Sequence, residues 1–101
     1  MPTQREALYA LTVDWEALER ANTVEAKLKG FTAKKMVEYL GEEEPSLVEH
    51  ILTKLRARTA AEAIEADLAK ILDDDAAVFV VKLWRMLVYE MYASQALSAA
   101  N

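Results

Sequence analysis

Seven basic residues are the chain's best candidates for chemistry. Lys27, Lys29, Lys34 and Lys35 fall within nine positions, and Lys54, Arg56 and Arg58 fall within five. Contact with phosphate needs charge and reach rather than a shaped pocket, so side chains at this density can hold a nucleic-acid backbone. The first group spans Gly30 and helical positions on both sides of it, so its four ammonium groups can converge on one electropositive patch. The competing reading is structural. Lysines keep an outer helix face solvated, and Lys54, Arg56 and Arg58 close a helical segment whose dipole favours cations there. For those three the dipole reading is preferred, although all seven stand as candidate nucleic-acid-binding residues. Stacking on bases would need an exposed aromatic beside the charges, and Tyr39 is the one candidate. Nothing supports sequence-specific base reading.

Other chemistries have less to build on. His50 is the single histidine, and Glu49-His50 lacks the second histidine of a zinc-binding helix pair. It projects away from the neighbouring apolar stripe, as a solvated surface histidine does. Asp73-Asp74-Asp75 lacks the glycine and distal glutamate of a calcium loop. No glycine-rich phosphate cradle is present, and Ser46, Ser94 and Ser98 have no nucleophile motif around them. With no cysteine, thiolate metal sites and disulfides are excluded. The expectation is a non-enzyme with no metal, no cofactor and no small-molecule substrate.

The elements that must position the basic residues are helical. The chain has 101 residues, enough for one core and not two. It is 53% hydrophobic with only two glycines and two prolines, which favours helices over a turn-rich sandwich or barrel. Asp14 is placed to cap a short helix carrying Trp15 and Leu18, and Thr23 to cap the next segment. Ala33, Met36, Val37 and Leu40 share a face that ends at Gly41, a favoured stop. Val24, Leu28 and Phe31 project onto a different face, so the helix either breaks near Gly30 or is covered on two sides. Pro45 opens a segment with the stripe Leu47, Val48, Ile51, Leu52 and Leu55. Thr59-Ala60-Ala61-Glu62 reads as a capping box for a helix burying Ala61, Ile64, Leu68, Ile71 and Leu72. The acidic runs Glu42-Glu43-Glu44 and Asp73-Asp74-Asp75 precede apolar segments, where they suit a helix dipole.

The last segment, from about Asp75 to Ser94, is apolar around most of its circumference. Such a helix must be surrounded by others, with Trp84 deep in the core. Its longest uncharged apolar run, residues 76–81, is far too short to span a bilayer. No basic region leads into an apolar stretch at the N-terminus, so no secretory signal is expected.

Several strings match one family in order. They are Pro2-Thr3, Glu6-Ala7-Leu8-Tyr9-Ala10, Asp14-Trp15, the run from Lys34 to Glu44, Ser46-Leu47-Val48, and the run from Leu72 to Glu90. Over residues 2–93 the chain resembles the PWI domain of pre-mRNA splicing factors. It departs at the signature itself, where Pro-Trp-Ile is replaced by Gly30-Phe31-Thr32. The resemblance implies an all-α, four-helix PWI-type bundle with an additional N-terminal helical element. The expected organisation is an extension over residues 1–22, the bundle over 23–94 and a frayed tail over 95–101.

The resemblance also implies a nuclear location, mRNA processing, and RNA or single-stranded nucleic acid as a weak partner, helped by a basic flank. The formal charge of −5 opposes tight autonomous binding and confines it to a local patch. The alternative is a protein-interaction module within a spliceosomal complex, meeting spliceosomal proteins through its acidic surface or through Tyr89 and Tyr92. No membrane partner is expected.

Overall fold

The computed structural model describes residues 4–100, with side chains to residue 97. Pro2-Thr3, Asn101 and the Ser98 side chain lie outside the described residues. The described chain is all-helical: α1 (Arg5–Tyr9), α2 (Trp15–Arg20), a π-helical turn (Val24–Leu28) running into α3 (Lys29–Leu40), then α4 (Pro45–Arg56), α5 (Ala61–Leu72) and α6 (Asp75–Ala100). α6 has 26 residues, about 39 Å at 1.5 Å per residue. The longest axis of the molecule is 43 Å, so α6 sets it. Among the described residues, no helix is long and apolar enough to cross a membrane.

α6 is the central rod, packed by α5, α3, α2 and α1. Ala76, Phe79, Val80, Leu83, Trp84, Leu87, Val88 and Met91 are buried along it. Aromatic contacts fix how its neighbours sit. Tyr9 of α1 and Trp15 of α2 meet Trp84 edge-on at 6.2 and 6.1 Å. Phe31 stacks on Phe79 at 6.2 Å, and Tyr39 meets the same ring edge-on at 6.3 Å. Offset-stacked and edge-to-face pairs are the favoured geometries for rings with a quadrupole.

The π-helical turn resolves the two faces of the third segment. The helix does not break at Gly30. The wider turn over Val24–Leu28 offsets only the residues before it from the α-helical register that follows. Leu28, Thr32 and Met36 then form one buried seam at four-residue spacing, with Phe31, Ala33 and Leu40 half-buried beside it. Val37, expected on the buried face, is 39% exposed. Thr23 lies at the start of the run but makes no side-chain cap; it is buried. Asn22, at φ 54°, makes the reversal from α2 in its place. Asparagine tolerates that left-handed region better than most residues.

Two further expectations are corrected. Ile71, placed on the buried face of α5, is 56% exposed, because Leu68 and Leu72 take the positions facing α6. The capping box at Thr59 does not form, and Ala60 takes the N-cap position without a side-chain bond. The reason lies in the end of α4. Arg58 sits in the left-handed region at φ 61°, its N–H bonds the Leu55 carbonyl, and the Thr59 N–H bonds the Lys54 carbonyl. This pair of bonds is the Schellman closure, and it claims the backbone of Thr59. Asp14 does cap α2, accepting the Ala17 N–H at 3.1 Å, and Pro45 occupies the first turn of α4. Gly41 ends α3 at φ 82°, with its N–H on the Val37 carbonyl.

The tripeptide Gly30-Phe31-Thr32 thus lies inside a continuous helix. A Cβ added at Gly30 would meet nothing within 4 Å. Gly30→Ala is expected to raise stability by about 0.5–1 kcal/mol, since glycine adds unfolded-state entropy and no packing. The Thr32 hydroxyl oxygen is buried with no hydrogen-bond partner among the described residues. Thr32→Val keeps the shape and removes that desolvated hydroxyl, for an expected gain of about 1 kcal/mol. Urea denaturation of each variant measures both; a loss of stability in either would contradict the geometry at that position.

Candidate nucleic-acid interface

The seven candidate basic residues divide sharply. Arg56, in the last turn of α4, donates to Glu49 on the same helix at 2.7 Å and to Glu25 of the π-helical turn. Arg58 makes a two-pronged pair with Glu19 of α2, Nε to Oε2 at 3.1 Å and Nη2 to Oε1 at 2.7 Å. Each arginine therefore ties the end of α4 to a segment earlier in the chain. The planar guanidinium suits this fork, which a lysine could not reproduce. Lys54 is half-buried on α4, near Asp67.

The lysines are less committed. Lys27, Lys29 and Lys34 are exposed and make no ion pair among the described residues. Lys35 is half-buried, pairs with Glu38 at 3.0 Å and lies over the Phe31 ring at 5.8 Å. Lys29 and Lys34 border a common groove between α3 and α4, while Lys27 and Lys35 do not line it. Tyr39 is turned into the core against Phe79, so its ring face is not offered to a base. His50 is exposed and shares a hydrogen bond with Asp67 of α5. No group of His, Asp or Glu among the described residues could hold a metal ion.

The groove was not foreseen from the sequence. Ala33, Val37, Pro45 and Val48 form its floor, in a volume of about 620 Å³. Lys29 and Lys34 stand on the α3 rim; Glu43, Glu44 and Glu49 stand on the other. Val37 is the signal that could have found it: an apolar residue one position past Met36, and so about 100° round the helix from the buried seam. The Glu42-Glu43-Glu44 run is another. Glu44 is the N-cap of α4, yet its side chain makes no capping bond.

Comparison with known proteins places this helical arrangement. A model of the PWI domain matches residues 26–94, most of the chain. The chain belongs to the PWI family. It is 37% identical over 95 residues to human RNA-binding protein 25, covering 94% of this chain and 11% of that protein. It is 33% identical over 91 residues to Arabidopsis thaliana RNA-binding motif protein 25, covering 90% and 10%. To the Schizosaccharomyces pombe U1 snRNP-associated protein usp107 it is 32% identical over 87 residues, covering 86% and 12%. The chain thus spans about a tenth of the length of these relatives. PWI domains are not a family of enzymes.

The N-terminal helices of this PWI domain are pinned by charge as well as by aromatic packing. Arg5 forks onto Glu65 of α5 at 3.0 and 2.9 Å, and the Tyr9 hydroxyl donates to the same carboxylate at 2.9 Å. At the other end, Asp14 accepts from Gln95 at 3.1 Å. These bonds hold the Glu65 carboxyl below the usual range, chiefly through Arg5 and against the opposing effect of burial. Glu19, Glu25 and Asp67 are lowered chiefly by their hydrogen bonds to Arg58, Arg56 and His50. Burial, followed by the bond to Glu65, pushes the Tyr9 hydroxyl up.

A carboxylate with a lowered folded pKa stabilises the fold fully above its unfolded value and loses that contribution as pH falls through the folded one. Denaturation midpoints should therefore hold steady from neutral to about pH 5 and decline below about pH 4. Glu65→Gln should cost about 1–3 kcal/mol at neutral pH, the range for hydrogen bonds to a charged group. It should also shrink the acid-side decline, with variant and parent converging at low pH. Urea titrations across that range test both statements, and parallel curves at every pH would count against the Glu65 assignment.

Proposed function

We propose that this PWI domain is an accessory RNA-binding domain of a nuclear, splicing-associated protein, making weak and sequence-tolerant contact with phosphates. The observation that carries the reading is the split among its cations. Arg56 and Arg58 are spent on Glu25, Glu49 and Glu19, whereas Lys27, Lys29 and Lys34 stay exposed and without ion pairs among the described residues. Those three lysines are the proposed contacts, with Lys35 and Lys54 flanking them. The relatives support the setting, since two are named RNA-binding and one U1 snRNP-associated. The charge of −5 keeps the contribution small and gives a basic flank in a longer protein the larger share. With Tyr39 in the core, affinity rests on charge and not on stacking.

Each phosphate contact on a single strand contributes roughly 0.7 to the slope of log affinity against log salt, so three lysines give a slope of about −2. The test is a titration of a fluorescent single-stranded RNA across salt concentrations. The Lys27→Gln, Lys29→Gln, Lys34→Gln triple variant should lose about tenfold or more at low salt and bring the slope close to zero. Arg58→Gln should lower thermal stability and leave RNA affinity within about twofold. No RNA binding at low salt, with or without an added basic flank, would sink the proposal.

A further inference from the structure

The α3–α4 groove shares Lys29 and Lys34 with the proposed RNA surface and adds features that the RNA reading does not use. Its floor is apolar: Val37 is 39% exposed, Pro45 is exposed, and half-buried Ala33 and buried Val48 lie beneath them. Its rims carry opposite charge, Lys29 and Lys34 on α3 facing Glu43 and Glu44 at the start of α4. These rims do not neutralise each other, since none of the four makes an ion pair among the described residues. Unlike charges held apart across an apolar floor leave both rims available to something lying between them. Glu49, on the same rim, is already held by Arg56 and adds less.

Charge selects the occupant. A nucleic acid can follow the outer α3 rim but, lying in the groove, would be repelled by Glu43 and Glu44, and a purely acidic or purely basic chain would satisfy one rim and oppose the other. A volume of about 620 Å³ suits a few side chains rather than a folded surface. We propose that the groove docks a short amphipathic segment of a partner protein. Its aliphatic anchors lie on Val37 and Val48, its basic side chains face Glu43 and Glu44, and its acidic side chains face Lys29 and Lys34. This is the helix-in-groove mode, in which apolar anchors give affinity and flanking charges set which partner fits. Because Lys29 and Lys34 serve both surfaces, such a segment and RNA compete, while Lys27 belongs to RNA alone.

The full chain, isotopically labelled for NMR, tests this with synthetic probes. The main probe is a helical peptide with a leucine stripe, arginines along one edge and glutamates along the other. Expected are amide shifts centred on Ala33, Val37, Glu44 and Val48. Replacing the leucines by serine should weaken binding about tenfold or more, as the loss of one or two buried aliphatic contacts does. Val37→Ser, at an exposed position where the fold should survive and with no charge added beside Lys34, should do the same while leaving RNA affinity unchanged. Glu43→Lys with Glu44→Lys should weaken the mixed-edge peptide and improve binding of a peptide with glutamate on both edges. Lys27→Gln should alter RNA binding only, so failure here and failure of the RNA reading are separable. Equal binding of the serine peptide, shifts centred instead on Tyr89 and Tyr92, or no binding at all would overturn the proposal. So would a dimer in sedimentation that Val37→Ser abolishes, since the occupant would then be a second copy of this chain.

Discussion

The indole of Trp84 meets Tyr9 and Trp15, and about a turn and a half earlier the ring of Phe79 meets Phe31 and Tyr39. The rest of the structure depends on these two contacts along α6. A helix apolar on nearly every side cannot face water, so its neighbours are arranged around it in two groups. α1 and α2 cover one end through the tryptophans, and α3 covers the other through the phenylalanines. The N-terminal helices have five and six residues and could not hold their form alone. They persist because Leu8, Ala17 and Leu18 are buried and because Arg5 and Asp14 reach α5 and α6.

That arrangement also explains why an acidic domain has so few spare cations. Arginine is used where a planar fork can bridge two segments: Arg5 to α5, Arg56 to the π-helical turn, Arg58 to α2. Arg58 is held there although its φ of 61° is a conformation that glycine adopts more easily. Lysine, whose ammonium is compact and strongly hydrated, is left on the outer surface of α3. The division between structural and available charge is thus made by side-chain chemistry as well as by position.

The altered signature fits the same frame. Phe31 keeps an aromatic ring against Phe79, and Lys35 lies over its outer face. Gly30 makes no close contact, and Thr32 faces the core with a hydroxyl that nothing there bonds. Phe31 packs its ring against the core, while Gly30 brings backbone freedom and Thr32 a buried hydroxyl. Leu28, Thr32 and Met36 form one buried seam at the four-residue spacing of an α-helix, from the end of the π-helical turn onward.

Residue type and spacing alone determined the helical class, the central last helix with Trp84 inside, the Asp14 cap, the Pro45 start and the Gly41 stop. These are local properties: periodicity, dihedral preference and a side-chain oxygen within three residues of an N–H. Ordered motifs likewise pointed to the PWI family through a divergent signature. The seven basic residues were legible as a list but not as a surface, because a salt bridge depends on which carboxylate another segment brings near. Glu19 and Arg58 are far apart in the chain and meet only after α2 and α4 have packed. The same holds for Ile71 and Val37, whose apolar side chains read as core until the packing of each helix buried Leu68, Leu72 and Met36 in their stead. The lysine patch that opened the reading is, after folding, three exposed lysines, two of them on the rim of a groove that only the packing of α3 on α4 creates.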